Sequence, residues 1–190
     1  MAPGCTNDAH EVVVSGATGH IGRALVQALH RRGHRVRALV RASSANTVPA
    51  GIEVCAGDAL DGAFLRSALR RGDTFVHLIG TPHPNPRKAA EFLHVDLASA
   101  RAAIEAARSA DVAHFVYVSV AQPAPVTRAY VAARAEDERV IGVARLTGTV
   151  LRPWYVLGPG RRWPIALLPL YALAARVARW RAQAGRLGLV

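Results

Sequence analysis

Three glycines at every third position, Gly16, Gly19 and Gly22, stand between a run of valines and a segment with helical spacing. In VVVSGATGHIG the first glycine permits a tight turn, the second lets backbone N–H groups approach a bound group, and the third lets the helix pack near the strand. A helix N-terminus adds free N–H groups and a partial positive charge. We therefore predict a dinucleotide-binding turn whose contacts come from Gly16, Thr18, Gly19, His20, Ile21 and Gly22. A P-loop is excluded because no Gly-Lys-Ser or Gly-Lys-Thr follows.

The charges around the second predicted strand bear on which dinucleotide binds. An NAD site usually carries Asp or Glu near the end of that strand, where it accepts hydrogen bonds from the ribose 2′-hydroxyl. No Asp or Glu occurs from Val12 through Ile52, and Arg41 and Ser43 follow the strand instead. Arginine binds phosphate through paired, charge-assisted hydrogen bonds. This pattern favours NADP over NAD, although Arg41 also fits one more solvated arginine among many.

The elements that must position this turn alternate between strand-like and helix-like segments. Strands are predicted at EVVVSG, HRVRALVR, IEVCAGD, TFVHLIG, HFVYVSV and GTVLRP. Helices are predicted at HIGRALVQALHRRG, at GAFLRSALRRG with Asp61 as N-cap, over roughly 87–109, and at AYVAARAEDERVIGVAR. Short apolar strands joined by single helices predict right-handed crossovers and a parallel sheet covered on both faces. The predicted fold is α/β, a doubly wound Rossmann sheet in three α/β/α layers, spanning residues 11–162 after a flexible lead of residues 1–10.

Composition limits the function classes. The chain has 190 residues, 51% of them hydrophobic, which fits one domain with a substantial core. Two cysteines exclude a disulfide framework and fit a cytoplasmic location, and the first ten residues lack the apolar segment of a secretory signal. The histidines are scattered, so no metal site is predicted. The net charge of +11 comes from arginines spread along the chain, so we expect a small-molecule substrate and no nucleic-acid partner. The sequence does not predict the oligomeric state.

Taken together, several motifs resemble the short-chain dehydrogenase/reductase superfamily, specifically its atypical, NmrA-like or epimerase-like branch. They are GATGHIG, LVR, GD at Gly57–Asp58, HLIG, FVYVSV, YVAAR and LRPWYVLGPG, over roughly residues 11–163. The resemblance implies an adenine pocket lined by Asp58 and Ala59. It also implies that the loop Ile79, Gly80, Thr81 passes beneath the adenosine ribose and nicotinamide side, and that the backbone after Arg152 and Pro153 approaches the nicotinamide.

The chemistry of this superfamily resides in a Tyr-x-x-x-Lys motif and a nearby hydroxyl, with the tyrosine exchanging the proton that accompanies hydride transfer. The resemblance implies catalytic roles for Tyr130, Arg134 and Ser119. Arg134 stands in the lysine position, and Ala121 stands where epimerase-like relatives often carry a hydroxyl. Two hypotheses follow: an NADP-dependent oxidoreductase acting on a small carbonyl or hydroxyl substrate, and a non-catalytic NADP(H)-binding redox sensor or complex-assembly subunit.

The C-terminal segment, residues 163–190, is apolar and then rich in arginine. Pro164, Pro169 and Arg176 interrupt it, so a membrane-spanning helix is not expected. We expect a helical segment that covers the active-site cleft, with an amphipathic segment on an anionic membrane surface as the alternative. Relatives generally continue beyond this point, so a truncated substrate side is also expected.

Overall fold

The fold was obtained as a computed structural model, which describes residues 9–81, 87, 89–121, 128–153, 156–158, 165–166, 169 and 176. Within these residues the structure has six strands: β1 (Glu11–Ser15), β2 (Arg35–Val40), β3 (Glu53–Ala56), β4 (Thr74–His77), β5 (His114–Val118) and β6 (Gly148–Leu151). All neighbours pair in parallel, in the order β3-β2-β1-β4-β5-β6. The predicted doubly wound Rossmann sheet is confirmed, and its strand order reverses beside β1. The expectations for the lead up to residue 8, and for most of 163–190, lie outside the described residues.

Helices connect the strands. They are α1 (His20–Arg31), α2 (Gly62–Ala68), α3 (Ala89–Glu91), α4 (Ala98–Ser109) and α5 (Arg128–Val143), with a 3-10 helix at Ala42–Thr47. Asp61 caps α2 as predicted, because its side chain accepts from the Ala63 N–H at 2.8 Å. None of the helices in the described ranges combines the length and hydrophobicity that a bilayer crossing requires.

The structure corrects two of the predicted helices. The helix expected over roughly 87–109 is not continuous, because a π-helical segment (Phe92–Leu97) separates α3 from α4. That segment contains Asp96, whose buried carboxylate binds the loop after β4. The helix expected to reach residue 72 ends at Ala68. Beyond it, the Arg70 N–H donates to the Asp73 carboxylate at 2.6 Å and turns the chain toward β4.

Alternating side chains of the strands build a core on each face of the sheet. Val13, Phe75 and Phe115 pack toward α2, α4 and α5, in a cluster that includes Leu65 and Ile141. Neighbouring strand residues point the opposite way and pack with Val26 of α1 in a second cluster, which includes Val12, Val14, Val36, Val40 and Val76. The two clusters account for the apolar runs of the inner strands β1, β2, β4 and β5, whose side chains are mostly buried, whereas the edge strands β3 and β6 are largely exposed.

One ion pair is buried near the amino ends of the strands. Arg37 of β2 and Asp73, just before β4, lie 2.7 Å apart, with 3% and 2% of their side chains exposed. Arg37 also donates to the Ala68 carbonyl at the end of α2. This pair joins the sheet to the helix layer at the edge remote from the glycine turn.

Candidate functional site

The glycine turn has the close backbone packing that a diphosphate-binding corner requires. Gly16 follows β1 with a φ of +74°, a conformation that favours glycine. A Cβ on Gly22 would lie 2.2 Å from the Gly16 carbonyl oxygen, so α1 approaches the sheet as closely as it does only because Gly22 has no side chain. The turn lies at the carboxyl end of β1, where the strand order reverses. The other predicted contacts here are exposed or partly exposed: Thr18, Gly19, His20 and Ile21.

The residues predicted for the adenosine side follow the carboxyl ends of β2 and β3. Arg41 directly follows β2, and both Arg41 and Ser43 are exposed at the start of the 3-10 helix. Asp58 is exposed just after β3, where one carboxylate oxygen accepts from the Leu60 N–H at 2.9 Å. Ala59 beside it is partly buried. The structure therefore brings these four residues to the same edge of the sheet as the glycine turn.

A buried carboxylate holds the loop after β4. Both oxygens of Asp96 accept from the Thr81 N–H, at 3.2 and 3.0 Å, and the Thr81 hydroxyl donates to one of them at 2.5 Å. Gly80 has no room for a side chain, since an added Cβ would lie 2.0 Å from the Nη2 of Arg134. Ile79 contributes its carbonyl, 3.4 Å from the same Nη2.

Arg134 lies inside the protein at this edge, with 4% of the residue exposed. Its Nη2 donates to Asp96 at 2.6 Å, and its Nη1 donates to the Tyr117 hydroxyl at 2.7 Å and to the Val118 carbonyl at 3.2 Å. Burial opposes the charge, yet neighbouring phenol and carboxylate oxygens hold the pKa of Arg134 above its ordinary value. The guanidinium that stands in the lysine position of the superfamily motif therefore directs its Nη donors to protein oxygens.

Tyr130 and Arg134 are neighbours, as their i, i+4 spacing predicts. The guanidinium carbon of Arg134 lies 5.4 Å from the centre of the Tyr130 ring and 5.5 Å from that of Tyr117. Phe92 of the π-helical segment is another neighbour of Tyr130, with ring centres 5.1 Å apart. The Tyr130 ring is thus held between the buried guanidinium and an aromatic ring.

A second buried acid, Asp137, follows Arg134 on α5. Its Oδ2 accepts from the Tyr117 hydroxyl at 2.5 Å, while its Oδ1 has no hydrogen-bond partner among the described residues. Burial, despite that hydrogen bond and the nearby Arg134 charge, raises the pKa of Asp137 to about 6. Burial also raises the pKa of Tyr117 above its ordinary value.

The Glu138 carboxylate binds the side chains of two residues that were predicted for the site, Ser119 and Arg152. The Ser119 hydroxyl, just beyond β5, donates to Glu138 at 2.5 Å. Arg152, just beyond β6, forms an ion pair with the same carboxylate, with Nε 3.0 Å from each oxygen. A hydroxyl has one proton, so Ser119 in this arrangement can accept a hydrogen bond from a ligand but has none to donate. Pro153 is partly buried, and its carbonyl accepts from the Ala121 N–H at 3.0 Å.

His77, the last residue of β4, lies buried between two serines. Its Nδ1 is 2.9 Å from the Ser15 hydroxyl, and its Nε2 is 3.4 Å from the Ser99 hydroxyl. Burial, and then the Arg134 charge, lowers the pKa of His77 to about 3. The Ser99 hydroxyl also donates to the Asp96 carbonyl at 3.1 Å, and the Ser15 hydroxyl lies 3.5 Å from the Val76 carbonyl. A neutral imidazole therefore links the end of β1 to the Asp96 segment.

Sequence reasoning missed the acids that hold this site together: Asp96, Asp137 and Glu138. One usable signal was their spacing, because Asp137 and Glu138 follow Arg134 by three and four residues on one helix and so share a face with it. No pattern of that kind pointed to Asp96. Among the described residues, no three His, Cys, Asp or Glu side chains converge in a way that could hold a metal ion.

The comparison with protein families bears directly on this arrangement. A family model described as NAD(P)H-binding matches residues 16–162, from the first glycine of the turn to beyond β6. The chain belongs to this NAD(P)H-binding family. The resemblance to short-chain dehydrogenases/reductases is thereby confirmed, and a nicotinamide dinucleotide is its cofactor class. The glycine turn, with no room for a Cβ at Gly22, fits that cofactor's diphosphate.

Two curated relatives of this NAD(P)H-binding chain carry reductase names. Ceramide reductase of Caulobacter vibrioides is 34% identical over 87% of this chain and 51% of its own length. The 3-diazoavenalumate denitrifying reductase of a Streptomyces species is 34% identical over 78% of this chain and 57% of its own length. The chain thus spans little more than half the length of these relatives.

A solved structure confirms the fold at lower sequence similarity. It is a short-chain dehydrogenase/reductase superfamily protein from Agrobacterium tumefaciens with bound NAD. It is 21% identical, has a TM-score of 0.65, and the match covers 93% of this chain and 61% of its own length.

Proposed function

We propose that this chain carries the cofactor-binding part of an NADP-dependent reductase for a small carbonyl substrate, with Tyr130 as the proton donor. One observation supports this proposal above all. Arg134 contacts both the loop 79–81 and the Tyr130 ring, and a Cβ on Gly16 of the glycine turn would lie 3.3 Å from the Ile79 nitrogen, so the three features adjoin at the carboxyl edge of the sheet. The reductase names of the two relatives agree with the reducing direction.

NADP rather than NAD is favoured by the residues after β2. The exposed Arg41 side chain follows the strand directly, and Ser43 lies two residues further on. No carboxylate from Val12 through Ile52 would accept from a ribose 2′-hydroxyl or repel a 2′-phosphate. Arg41 would pair with that phosphate through charge-assisted hydrogen bonds, and Ser43 would add a neutral donor. Cytoplasmic location remains a prediction.

Each predicted site residue would have a separate role in the reaction or in cofactor binding. The bound cofactor would supply a hydride to the carbonyl carbon of the substrate. The Tyr130 hydroxyl would give its proton to the carbonyl oxygen, so that the product is an alcohol. Ser119, whose own proton is engaged by Glu138, would at most accept a hydrogen bond. Asp58 and Ala59 would line the adenine pocket, and the backbone after Arg152 and Pro153 would approach the nicotinamide amide.

The test is NADPH consumption over a panel of small aldehydes and ketones, extended to keto lipids because one relative is named a ceramide reductase. With any substrate that reacts, we expect Tyr130→Phe to lower kcat by about 100-fold or more, the usual contribution of a positioned acid. NADPH affinity should change little, since the phenyl ring keeps its contacts with Phe92 and Arg134. Equal rates for wild type and Tyr130→Phe would remove Tyr130 from the reaction.

A second function is favoured by a separate observation. Both groups that the superfamily places beside its tyrosine are engaged within the protein here, Arg134 by Asp96 and Ser119 by Glu138. A non-catalytic NADP(H)-binding sensor or assembly subunit needs neither group. Tight NADPH binding without turnover of any compound in the panel would favour this function, and turnover of one of them would end it.

A further inference from the structure

The guanidinium of Arg134 presents no exposed donor to a cofactor. Of its five N–H groups, those on Nη1 and Nη2 are directed to four protein oxygens, and Nε is buried with no hydrogen-bond partner in the described part of the chain. With 4% of the residue exposed, it would have to break its bond with Asp96 to reach a ribose. In this geometry Arg134 therefore does not contact the cofactor directly.

The partners of Arg134 lie in three separate segments that meet at the carboxyl edge. Asp96 belongs to the π-helical segment, Ile79 precedes Gly80 in the loop after β4, and Tyr117 and Val118 end β5. Asp96 is fully buried and also binds Thr81 through its backbone N–H and hydroxyl. The two charges together therefore fix the loop 79–81 from both sides.

Arg134 fixes Tyr130 as well. The aromatic rings of Tyr117 and Tyr130 lie at 5.5 and 5.4 Å from the guanidinium carbon, within the range of cation–π attraction. Phe92, four residues before Asp96, also packs against Tyr130, with ring centres 5.1 Å apart. A shift of the π-helical segment would therefore disturb the contacts of the tyrosine ring with Phe92 and with Arg134.

We infer that the buried Asp96–Arg134 ion pair is a positioning device that couples the loop 79–81 to the Tyr130 ring, and that Arg134 acts through these neighbours. Its consequence for catalysis rests on the proposed function, whereas the coupling itself is a property of the protein without ligand. Gly80 contributes to this positioning, because a Cβ at residue 80 would displace the guanidinium of Arg134.

The chain offers a matched control for the loss of a buried charge. The Arg37–Asp73 pair is as buried as the Arg134–Asp96 pair, with side-chain exposures of 3% and 2% against 5% and 0%. Its N···O distance is 2.7 Å against 2.6 Å. It lies near the amino ends of the strands, so removing it should destabilise the fold without disturbing the site.

The experiment is a double-mutant cycle of Asp96→Asn and Arg134→Met, read first by hydrogen exchange of the protein without ligand. Each single variant should speed amide exchange both in 78–81 and in 128–134, and the double variant should not exceed the larger single effect. Arg37→Met and Asp73→Asn should speed exchange in both segments no more than their loss of global stability accounts for. Loosening of only one segment in a single variant, or additive effects, would overturn the coupling.

NADPH titration separates this role from a ribose contact. If the pair positions the loop, Asp96→Asn and Arg134→Met should each weaken binding by about tenfold, the loss expected for one misplaced hydrogen-bonded contact, and non-additively. Arg134→Lys should also weaken it, since one ammonium cannot satisfy the same four oxygens. A ribose contact instead predicts a loss only in Arg134→Met and near wild-type binding in Arg134→Lys. If the wild type bound no NADPH, the proposed function would fail, while hydrogen exchange would still decide the coupling.

Discussion

Two arginines at the same edge of the sheet show how surroundings decide what a guanidinium can do. Arg134 is enclosed and directs its Nη groups to protein oxygens, including the charged Asp96. Arg41 is exposed directly after β2, and no hydrogen bond or ion pair is found for its side chain among the described residues. The two side chains are chemically identical, but of the two only Arg41 has N–H groups that are exposed and can bind an anion from solution.

We predict that Arg41→Ala lowers NADPH affinity by about 10- to 100-fold, since a charge-assisted hydrogen bond to phosphate contributes about 1.5–3 kcal/mol. NADH affinity should stay within about twofold of wild type, because the lost partner is the 2′-phosphate that NADH lacks. Isothermal calorimetry of both nucleotides measures the ratio. The control is Arg31→Ala, which removes an equally exposed arginine near the far end of α1. Equal wild-type affinities for NADPH and NADH would contradict the assignment.

At the scale of elements, the π-helical segment shows how a tertiary contact overrides a local pattern. The alanine-rich sequence before Ser109 favours a regular α-helix. The segment Phe92–Leu97 departs from it where Asp96 binds Thr81 and Arg134. A π-helical turn shifts the register of every side chain that follows, and such turns occur often at functional sites. The π-helical hydrogen bonding thus occurs where the Asp96 carboxylate contacts Thr81 and Arg134.

The helices α1 and α5 each contain an internal glycine, and these two glycines should respond oppositely to alanine. Gly142 of α5 is exposed, and an added Cβ would meet nothing within 4 Å. Gly142→Ala should therefore raise the free energy of unfolding by about 0.5–1 kcal/mol, through better helix propensity alone.

Gly22→Ala gains the same propensity but places its Cβ 2.2 Å from the Gly16 carbonyl and 2.7 Å from the Ala17 Cα. Those atoms are backbone, so α1 must move away from the sheet. We expect the free energy of unfolding to fall by about 1–3 kcal/mol, as in other overpacked positions, with loss of NADPH binding. Urea denaturation followed by far-UV circular dichroism compares the two variants. Similar effects of both substitutions would show that α1 does not depend on this close approach.

At the scale of the whole molecule, the strands and the glycine turn were predictable from sequence, whereas the polar interior was not. Runs such as Val12–Val14 and the glycine spacing are local patterns that burial on both faces of a sheet imposes directly. The pairing of Arg134 with Asp96, or of Ser119 with Glu138, joins residues far apart in the chain. Tertiary packing decides which buried polar side chains pair, so these pairings cannot be predicted from the local periodicity of the sequence.

The interior also sets how the stability of the molecule depends on pH. His77 has a pKa of about 3 in the folded protein and 6.5 as an ordinary histidine, so the unfolded chain binds an extra proton between these values. Its contribution to stability is therefore lost as pH falls from 6.5 toward 3. Asp137 acts in the opposite sense, since its folded pKa of about 6 exceeds the ordinary 3.8. The folded state holds that proton more tightly, and stability rises as pH falls from about 6 to 3.8.

We predict that His77→Gln removes the loss of folding stability that protonation of this histidine causes at acidic pH. The variant should be less stable than wild type at neutral pH, because its amide replaces a neutral imidazole that bonds both Ser15 and Ser99. Below pH 6.5 the gap in unfolding free energy should narrow by up to about 1.4 kcal/mol per pH unit, because only wild type carries the buried imidazole. Urea denaturation at several pH values measures the gap, with the exposed His94→Gln as control. A constant gap would mean that His77 gains its proton in the folded protein as readily as in the unfolded chain.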